Sequence, residues 1–305
     1  MAKQPRSLSG KVAVVTGGGR GIGRALSRAL AREGVRVAIA DLDGAAAEQA
    51  ANEIGGGAIG LALDVTDRPA FTAALDDVES RLGPVDIIVN TAGIMPIGPF
   101  EEETDATAIR QLELNLHAVI HGSKEGVRRM KPRDAGHIVN VASIAGKFGA
   151  PGGATYSACK HGVVGLCESL RAELYGTGVE VHVVMPALVT TELAAGTHEI
   201  KGIKRSTPED VAEAVVEALK LGRFEVYVPK AVGRISKAMT ILPRRAAEAI
   251  GHYLEADQVM VNADMSGRKH YEERVAKSEP TPLEVAAQAR EAENVAPEQK
   301  EPVSS

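Results

Sequence analysis

Between Lys11 and about Pro229 the chain switches repeatedly between short β-branched runs and longer Ala-, Leu- and Glu-rich stretches of helical period. This is the pattern of consecutive βαβ units. Seven runs qualify as strands: KVAVVTG from Lys11, VRVAIAD from Val35, AIGLALD from Ala58, VDIIVN from Val85, HIVNVAS from His137, VEVHVV from Val179 and FEVYVP from Phe224. Most are apolar at nearly every position rather than at alternate ones, so both faces must be buried. The expected fold is therefore α/β: a Rossmann-like, doubly wound, mainly parallel seven-stranded sheet flanked by helices, with right-handed crossovers.

The alternation stops after Pro229. A helical, cationic segment follows from Arg234 to about Tyr253, with Ile235, Met239, Ile241 and Leu242 interleaved with Arg234, Lys237, Arg244 and Arg245. The expected division is residues 1–229 as the α/β domain and 230–277 as a helical extension acting as lid, lipid contact or oligomer contact. Residues 278–305, rich in Ala, Glu, Gln and Pro, are expected to be a disordered tail. A net charge of -5 offers no attraction to nucleic acid or anionic lipid and leaves a small molecule as the expected partner. No apolar run is long enough for a membrane span, and MAKQPRSLSG has no apolar signal core. Cys159 and Cys167 lie eight residues apart in one expected helix, about 12 Å, too far to bridge, which fits a reducing cytoplasm. The eight histidines form neither H-x-H nor HExxH, so no metal is expected.

The first strand runs into Thr16-Gly17-Gly18-Gly19-Arg20-Gly21-Ile22-Gly23 and then a helix. Glycines there permit a tight turn and close approach of a dinucleotide pyrophosphate to the helix N-terminus. The second strand ends at Asp41, about 20 residues beyond the turn, where a carboxylate accepts hydrogen bonds from ribose hydroxyls and repels a 2′-phosphate. That argues for NAD over NADP, with Arg20 as the counterweight. Further along, Asn90-Thr91-Ala92-Gly93 ends the fourth strand, Asn115 sits inside the helical run LELNLHAVIHG, and Ser143 ends the fifth strand. A buried mid-helix asparagine needs specific partners. A hydroxyl at the carboxyl edge of the sheet can polarise a substrate oxygen. Tyr156-Ser157-Ala158-Cys159-Lys160 places a phenol and an ammonium on one helix face, where the cation is expected to lower the phenol's pKa. YxxxK alone is commonplace on helix surfaces; its companions give it meaning.

Taken in order, TGxxxGxG, Asp41, Asp64, NxAG, Asn115, Ser143 and YxxxK resemble the short-chain dehydrogenase/reductase family over about residues 8–229. The resemblance implies an NAD(P)-dependent oxidoreductase acting on CH–OH groups, with Asn115, Ser143, Tyr156 and Lys160 as its catalytic set. Lys160 would also bind nicotinamide ribose, and Asn115 would hold a water in a proton relay. The implied cofactor surface comprises Gly17, Arg20, Gly21, Ile22, Gly23, Asp41, Leu42, Asp64, Val65, Asn90, Ala92, Gly93, Tyr156, Lys160, Pro186, Val189 and Thr191. Asp64-Val65 resembles the adenine-contacting pair, and Pro186-Ala187-Leu188-Val189-Thr190-Thr191 looks like the PGxVxT segment beside the nicotinamide. Ala187 departs from the usual glycine, and Thr91 from the second asparagine of NNAG.

Ile94, Met95, Pro96, Ile144, Phe148, Leu188 and Leu193 are the expected substrate lining, which points to a small hydrophobic secondary alcohol or its ketone. The family implies a homo-oligomer, a dimer or tetramer. Three further readings stay open: an NADP-dependent ketone or acyl reductase, a non-catalytic nucleotide-sensing relative, and a sugar-nucleotide epimerase or dehydratase. The short stretch between Val189 and Thr207 counts against the last.

Overall fold

A computed structural model of the chain describes residues 5–276. The expected tail of residues 278–305 lies outside the described residues. Seven strands form: β1 (Val12–Thr16), β2 (Arg36–Asp41), β3 (Ile59–Ala62), β4 (Ile87–Asn90), β5 (Gly136–Val141), β6 (Val179–Pro186) and β7 (Glu225–Val228). They make one sheet in the order β3-β2-β1-β4-β5-β6-β7, with every pairing parallel. The connecting helices are α1 (Gly21–Arg32), α2 (Gly44–Ile54), α3 (Arg68–Leu82), α4 (Asp105–Leu112), α5 (Ala118–Met130), α6 (Ala154–Glu173) and α7 (Pro208–Leu221).

The continuous apolar runs have their explanation in the two cores. Along β1, Ala13 and Val15 face one core with Leu26 and Leu30 of α1 and Val211, Val215 and Leu219 of α7. Val12 and Val14 face the other, with Phe71, Leu75 and Val78 of α3 and Val163, Val164 and Cys167 of α6. Neither face of a central strand meets water, so neither can be polar.

Local signals set the helix starts. Thr207 accepts a hydrogen bond from the Asp210 N–H (3.1 Å) while the Asp210 carboxylate accepts one from the Thr207 N–H (2.7 Å), a reciprocal cap ahead of Pro208. Asp43 and Asp67 cap α2 and α3 through the N–H groups of Ala46 and Ala70.

Beyond β7 the chain is helical: α8 (Lys230–Ile241), α9 (Arg244–Tyr253), α10 (Gln258–Val261) and α11 (Met265–Ala276). The single helical stretch expected from Arg234 to Tyr253 is broken at Leu242-Pro243. The residue before a proline is driven out of the helical region, and Leu242 is extended, with φ -75° and ψ 148°. No helix of the described residues is long and apolar enough to cross a membrane.

Candidate active site

The strand order reverses beside β1, opening a crevice at the carboxyl ends of β1 and β4 where α/β sheets bind their ligands. The glycine turn lies there. Gly17 has φ +60°, and a Cβ on it would stand 2.8 Å from the Cα of Ala92. A Cβ on Gly23 would stand 2.2 Å from the Gly17 carbonyl oxygen. Thr16 and Thr91 stitch the turn to the end of β4, the Thr91 N–H donating to Thr16 Oγ1 (3.1 Å). Arg20 precedes α1 without capping it, so the first N–H groups of that helix have no side-chain acceptor. An uncapped helix N-terminus behind a glycine turn that no side chain could fill fits a pyrophosphate.

Asp41 braces the same turn. One carboxylate oxygen accepts from the Gly19 N–H (2.9 Å) and the other from the Asp43 N–H (3.0 Å), leaving lone pairs on both for ribose hydroxyls. Arg20 is committed elsewhere: it pairs with Asp43 and approaches Glu192 to 3.9 Å. Leu42 stands exposed beside Asp41. Asp64 is not a helix cap, since Asp67 takes that role. Its Oδ1 accepts from the Thr66 N–H and hydroxyl (2.9 and 2.6 Å), and Val65 behind it is buried.

Further along the crevice a cavity of about 750 Å³ is lined by Ile22, Thr91, Gly93, Asn115, Ser143, Tyr156, Lys160, Pro186, Val189 and Thr191. Thr91, which replaces the family's asparagine, keeps a buried hydroxyl with no hydrogen-bond partner among the described residues. Thr191 faces Gly21 across the crevice, its Cγ2 3.3 Å from where a Cβ on that glycine would be. Ser143 opens a short 3₁₀ turn, accepting the Ala145 N–H (3.1 Å), and its hydroxyl is close enough to Tyr156 to favour the ionised phenol. One turn along α6, the Lys160 ammonium donates to the Val141 carbonyl (3.0 Å) and lies 5.5 Å from the Tyr156 ring centre. Asn115 is fully buried in a π-helical turn, Glu113–His117, a distortion that recurs at functional sites. Its Oδ1 accepts from the Ile94 N–H (3.0 Å) and its Nδ2 donates to the Ile94 carbonyl (2.9 Å).

Two sequence expectations need correction. Lys160 was expected to pull the Tyr156 pKa down, but burial wins: the phenol is pushed up to about 12, with Ser143 only partly offsetting it. Burial likewise pushes Lys160 down to about 8. The Asn90 side chain turns inward, its Nδ2 donating to Asn140 (2.7 Å). Of the expected substrate lining, Met95, Ile144, Phe148, Leu188 and Leu193 face the cavity, whereas Ile94 packs behind it against Tyr271 and Val275. Ile94 and Met95 accordingly fall in two separate buried clusters, Met95 with Tyr156 and Met260 and Ile94 with Tyr271 and Val275. Pro96 is not among the lining residues either.

Val232, Ile235, Met239, Leu254, Val259 and Met260 of the C-terminal extension complete the wall; the sequence offers a lid as one role for this extension but singles out no lining residue in it. At the opposite, amino-terminal end of the sheet, His137, Glu180 and His182 converge within metal-ligand range. No spacing signalled this, because the residues meet across neighbouring strands. His182 Nδ1 donates to the Arg223 carbonyl (2.7 Å), so its Nε2 accepts from His137 Nδ1 (3.1 Å). Arg6 takes both Glu180 oxygens (3.0 and 2.6 Å). The cluster is thus a closed polar network with its charge already balanced.

A dinucleotide crevice continuous with a cavity holding a tyrosine, a serine and a lysine defines a nicotinamide-dependent oxidoreductase. The chain belongs to the short-chain dehydrogenase family, whose model matches residues 11–201, and it is an NAD(P)-dependent enzyme acting on CH–OH groups. It is 35% identical over 230 residues to the ketoacyl reductase HetN of Nostoc, covering 73% of this chain and 79% of that protein. It is 39% identical over 226 residues to an inactive 2-(S)-hydroxypropyl-CoM dehydrogenase 2 of Xanthobacter autotrophicus, covering 69% and 97%. A crystal structure of a short-chain dehydrogenase/reductase from Burkholderia phymatum in complex with NAD superposes with a TM-score of 0.70 at 27% identity, covering 76% of this chain and 93% of that one.

Proposed function

We propose that the protein interconverts a hydrophobic secondary alcohol and its ketone with NAD, using Tyr156 as the proton-transfer group. The observation that carries this reading is the shared cavity: Ser143, Tyr156, Lys160 and Asn115 all open onto it beside walls that are otherwise mostly apolar. Bound NAD supplies a hydride acceptor, and NADH a donor. Ser143 hydrogen-bonds the substrate oxygen, Tyr156 moves the hydroxyl proton, and Lys160 supports the charge that develops on the phenol. Gly17, Gly21 and Gly23 cradle the pyrophosphate, and Asp41 binds the adenosine ribose beside Leu42. Asp64 and Val65 meet the adenine, with Pro186, Val189 and Thr191 at the nicotinamide end. Asn90 contributes through its main chain only. Family membership and two buried free thiols support a cytoplasmic homo-oligomer.

Two results test this reading. A panel of hydrophobic alcohols assayed with NAD and NADP in parallel should favour NAD. The Asp41→Ala variant should shift the kcat/KM ratio toward NADP by at least about ten-fold, because a like-charge repulsion is removed. A parent enzyme that prefers NADP would reverse the cofactor assignment. The pH dependence should also be directional. A phenol held near 12 is a proton donor at neutral pH, which suits ketone reduction, whereas alcohol oxidation needs the scarce phenolate. Oxidation kcat should therefore climb from about pH 6 to about pH 9 while reduction does not climb with it; a flat oxidation profile would contradict the role given to Tyr156.

If NADH absorbance stays constant with every alcohol and ketone tried while NADH still binds, the hydrophobic-alcohol reading fails.

A further inference from the structure

We propose that helix α11 belongs to the catalytic apparatus, with Arg268 and Tyr271 as positioning residues that fix Asn115 and the substrate-side loop after β6. The proposal rests on the dehydrogenase reading above and extends it to a part of the chain beyond residues 11–201, which the family model matches.

Arg268 is 0% exposed. Its Nη1 donates to the carbonyls of Leu193 (2.8 Å) and Ala195 (2.9 Å), its Nη2 to that of Met95 (2.7 Å) and its Nε to Glu272 (2.8 Å). The guanidinium carbon lies 4.8 Å from the Tyr271 ring centre. A rigid planar fork thus holds backbone from two separate loops, the one after β4 and the one after β6. Both Met95 and Leu193 present side chains to the substrate cavity, so the guanidinium sits directly behind its wall.

The contacts continue to the reaction centre. The Met95 N–H donates to the Tyr271 hydroxyl (2.7 Å), so α11 engages both backbone groups of Met95. The preceding residue, Ile94, has both of its backbone groups engaged by Asn115. Two consecutive peptide units therefore connect α11 to a member of the catalytic set. On the other loop, Gly196, His198 and Lys201 are joined to the extension by backbone hydrogen bonds to Asp264 (2.8 Å), Val259 (2.9 Å) and Leu254 (2.9 Å). The substrate-side loop and the extension form one unit, latched by Arg268.

Packing alone does not account for a buried arginine. Burying a guanidinium is expensive, and apolar side chains fill such space at lower cost. What arginine supplies is geometry: three directed donations that set where two loops stand relative to each other, with Glu272 orienting the guanidinium from its own helix.

The test uses the full chain and its Arg268→Ala, Arg268→Lys and Tyr271→Phe variants. NADH affinity, read by fluorescence, should stay within about two-fold of the parent, while kcat/KM for the alcohol panel should fall about 100-fold in Arg268→Ala, as for a catalytic group displaced by about 1 Å. Added guanidinium ion at millimolar concentration should restore part of that loss. Arg268→Lys should remain impaired, since an ammonium cannot span the acceptors. Tyr271→Phe should show a smaller fall in the same direction. Hydrogen exchange at residues 94–95 and 193–198 should speed up in Arg268→Ala with the sheet unchanged. Unaltered kinetics and exchange overturn the proposal. So does a joint loss of NADH binding, native circular dichroism and activity that guanidinium does not relieve. Should the parent oxidise nothing in the panel, the dehydrogenase reading fails, and the exchange comparison alone decides whether α11 holds these loops.

Discussion

Replacing Tyr156 by phenylalanine is expected to cut turnover by about 100- to 10,000-fold, the range that general acid–base catalysis contributes, equivalent to about 3 to 5 kcal/mol of barrier. The change removes one oxygen from a side chain that is 6% exposed and packed against Met95, Ala145, Val259 and Met260. The ring keeps that packing, so thermal stability should change little. NADH affinity should also persist, because the glycine turn and Asp41 lie on β1, α1 and β2, well separated in the chain from α6. The informative measurement is a steady-state assay paired with an NADH titration on the same preparation. Turnover in Tyr156→Phe within a few-fold of the parent would remove the tyrosine from the mechanism.

The second large effect is expected from Gly23→Ala. A Cβ there would stand 2.2 Å from the Gly17 carbonyl oxygen and 2.9 Å from the Gly18 Cα, all of it backbone. The added methyl can be accommodated only by moving the start of α1 away from the turn, which displaces the N–H groups proposed to hold the pyrophosphate. NADH binding should weaken by about 100-fold or more, and the overpacking should cost about 1–3 kcal/mol of stability. Gly165→Ala is the matched control. That glycine sits in α6 with nothing near its missing Cβ, and the same substitution should stabilise the helix by about 0.5–1 kcal/mol. NADH titration and thermal unfolding of the two variants side by side check both signs, and a Gly23→Ala protein that binds NADH normally would refute the cradle.

The contrast between these glycines shows what local sequence can and cannot reveal. TGxxxGxG, Asp41 and the Ser143-Tyr156-Lys160 set are legible because their chemistry is confined to strand ends and single helical turns. The strands are legible because burial on both faces leaves no polar alternation. The Tyr156 pKa was misjudged because the adjacent lysine is visible in the sequence, whereas the desolvation supplied by Val259 and Met260 comes from about a hundred residues away. Ile94 was assigned to the wrong face because its direction depends on Asn115 holding its backbone. Arg268 gave no sign at all. An arginine in a charged helical stretch looks like a solvated residue, and its acceptors are carbonyls more than seventy positions upstream. The break at Leu242-Pro243, by contrast, is legible in the proline itself, which bars the residue before it from helical geometry.

The cavity draws its two ends from different lengths of the chain. Its chemical end comes from residues shared with the family's matched region, 11–201, and its far wall from the extension between Lys230 and Ala276. A lineage can therefore rewrite the extension and exchange one alcohol for another while inheriting the proton and hydride machinery intact. Relatives that agree with this chain at every catalytic position thus carry little information about what it consumes. A search for its substrate should weigh similarity between Lys230 and Ala276 above similarity in the motifs.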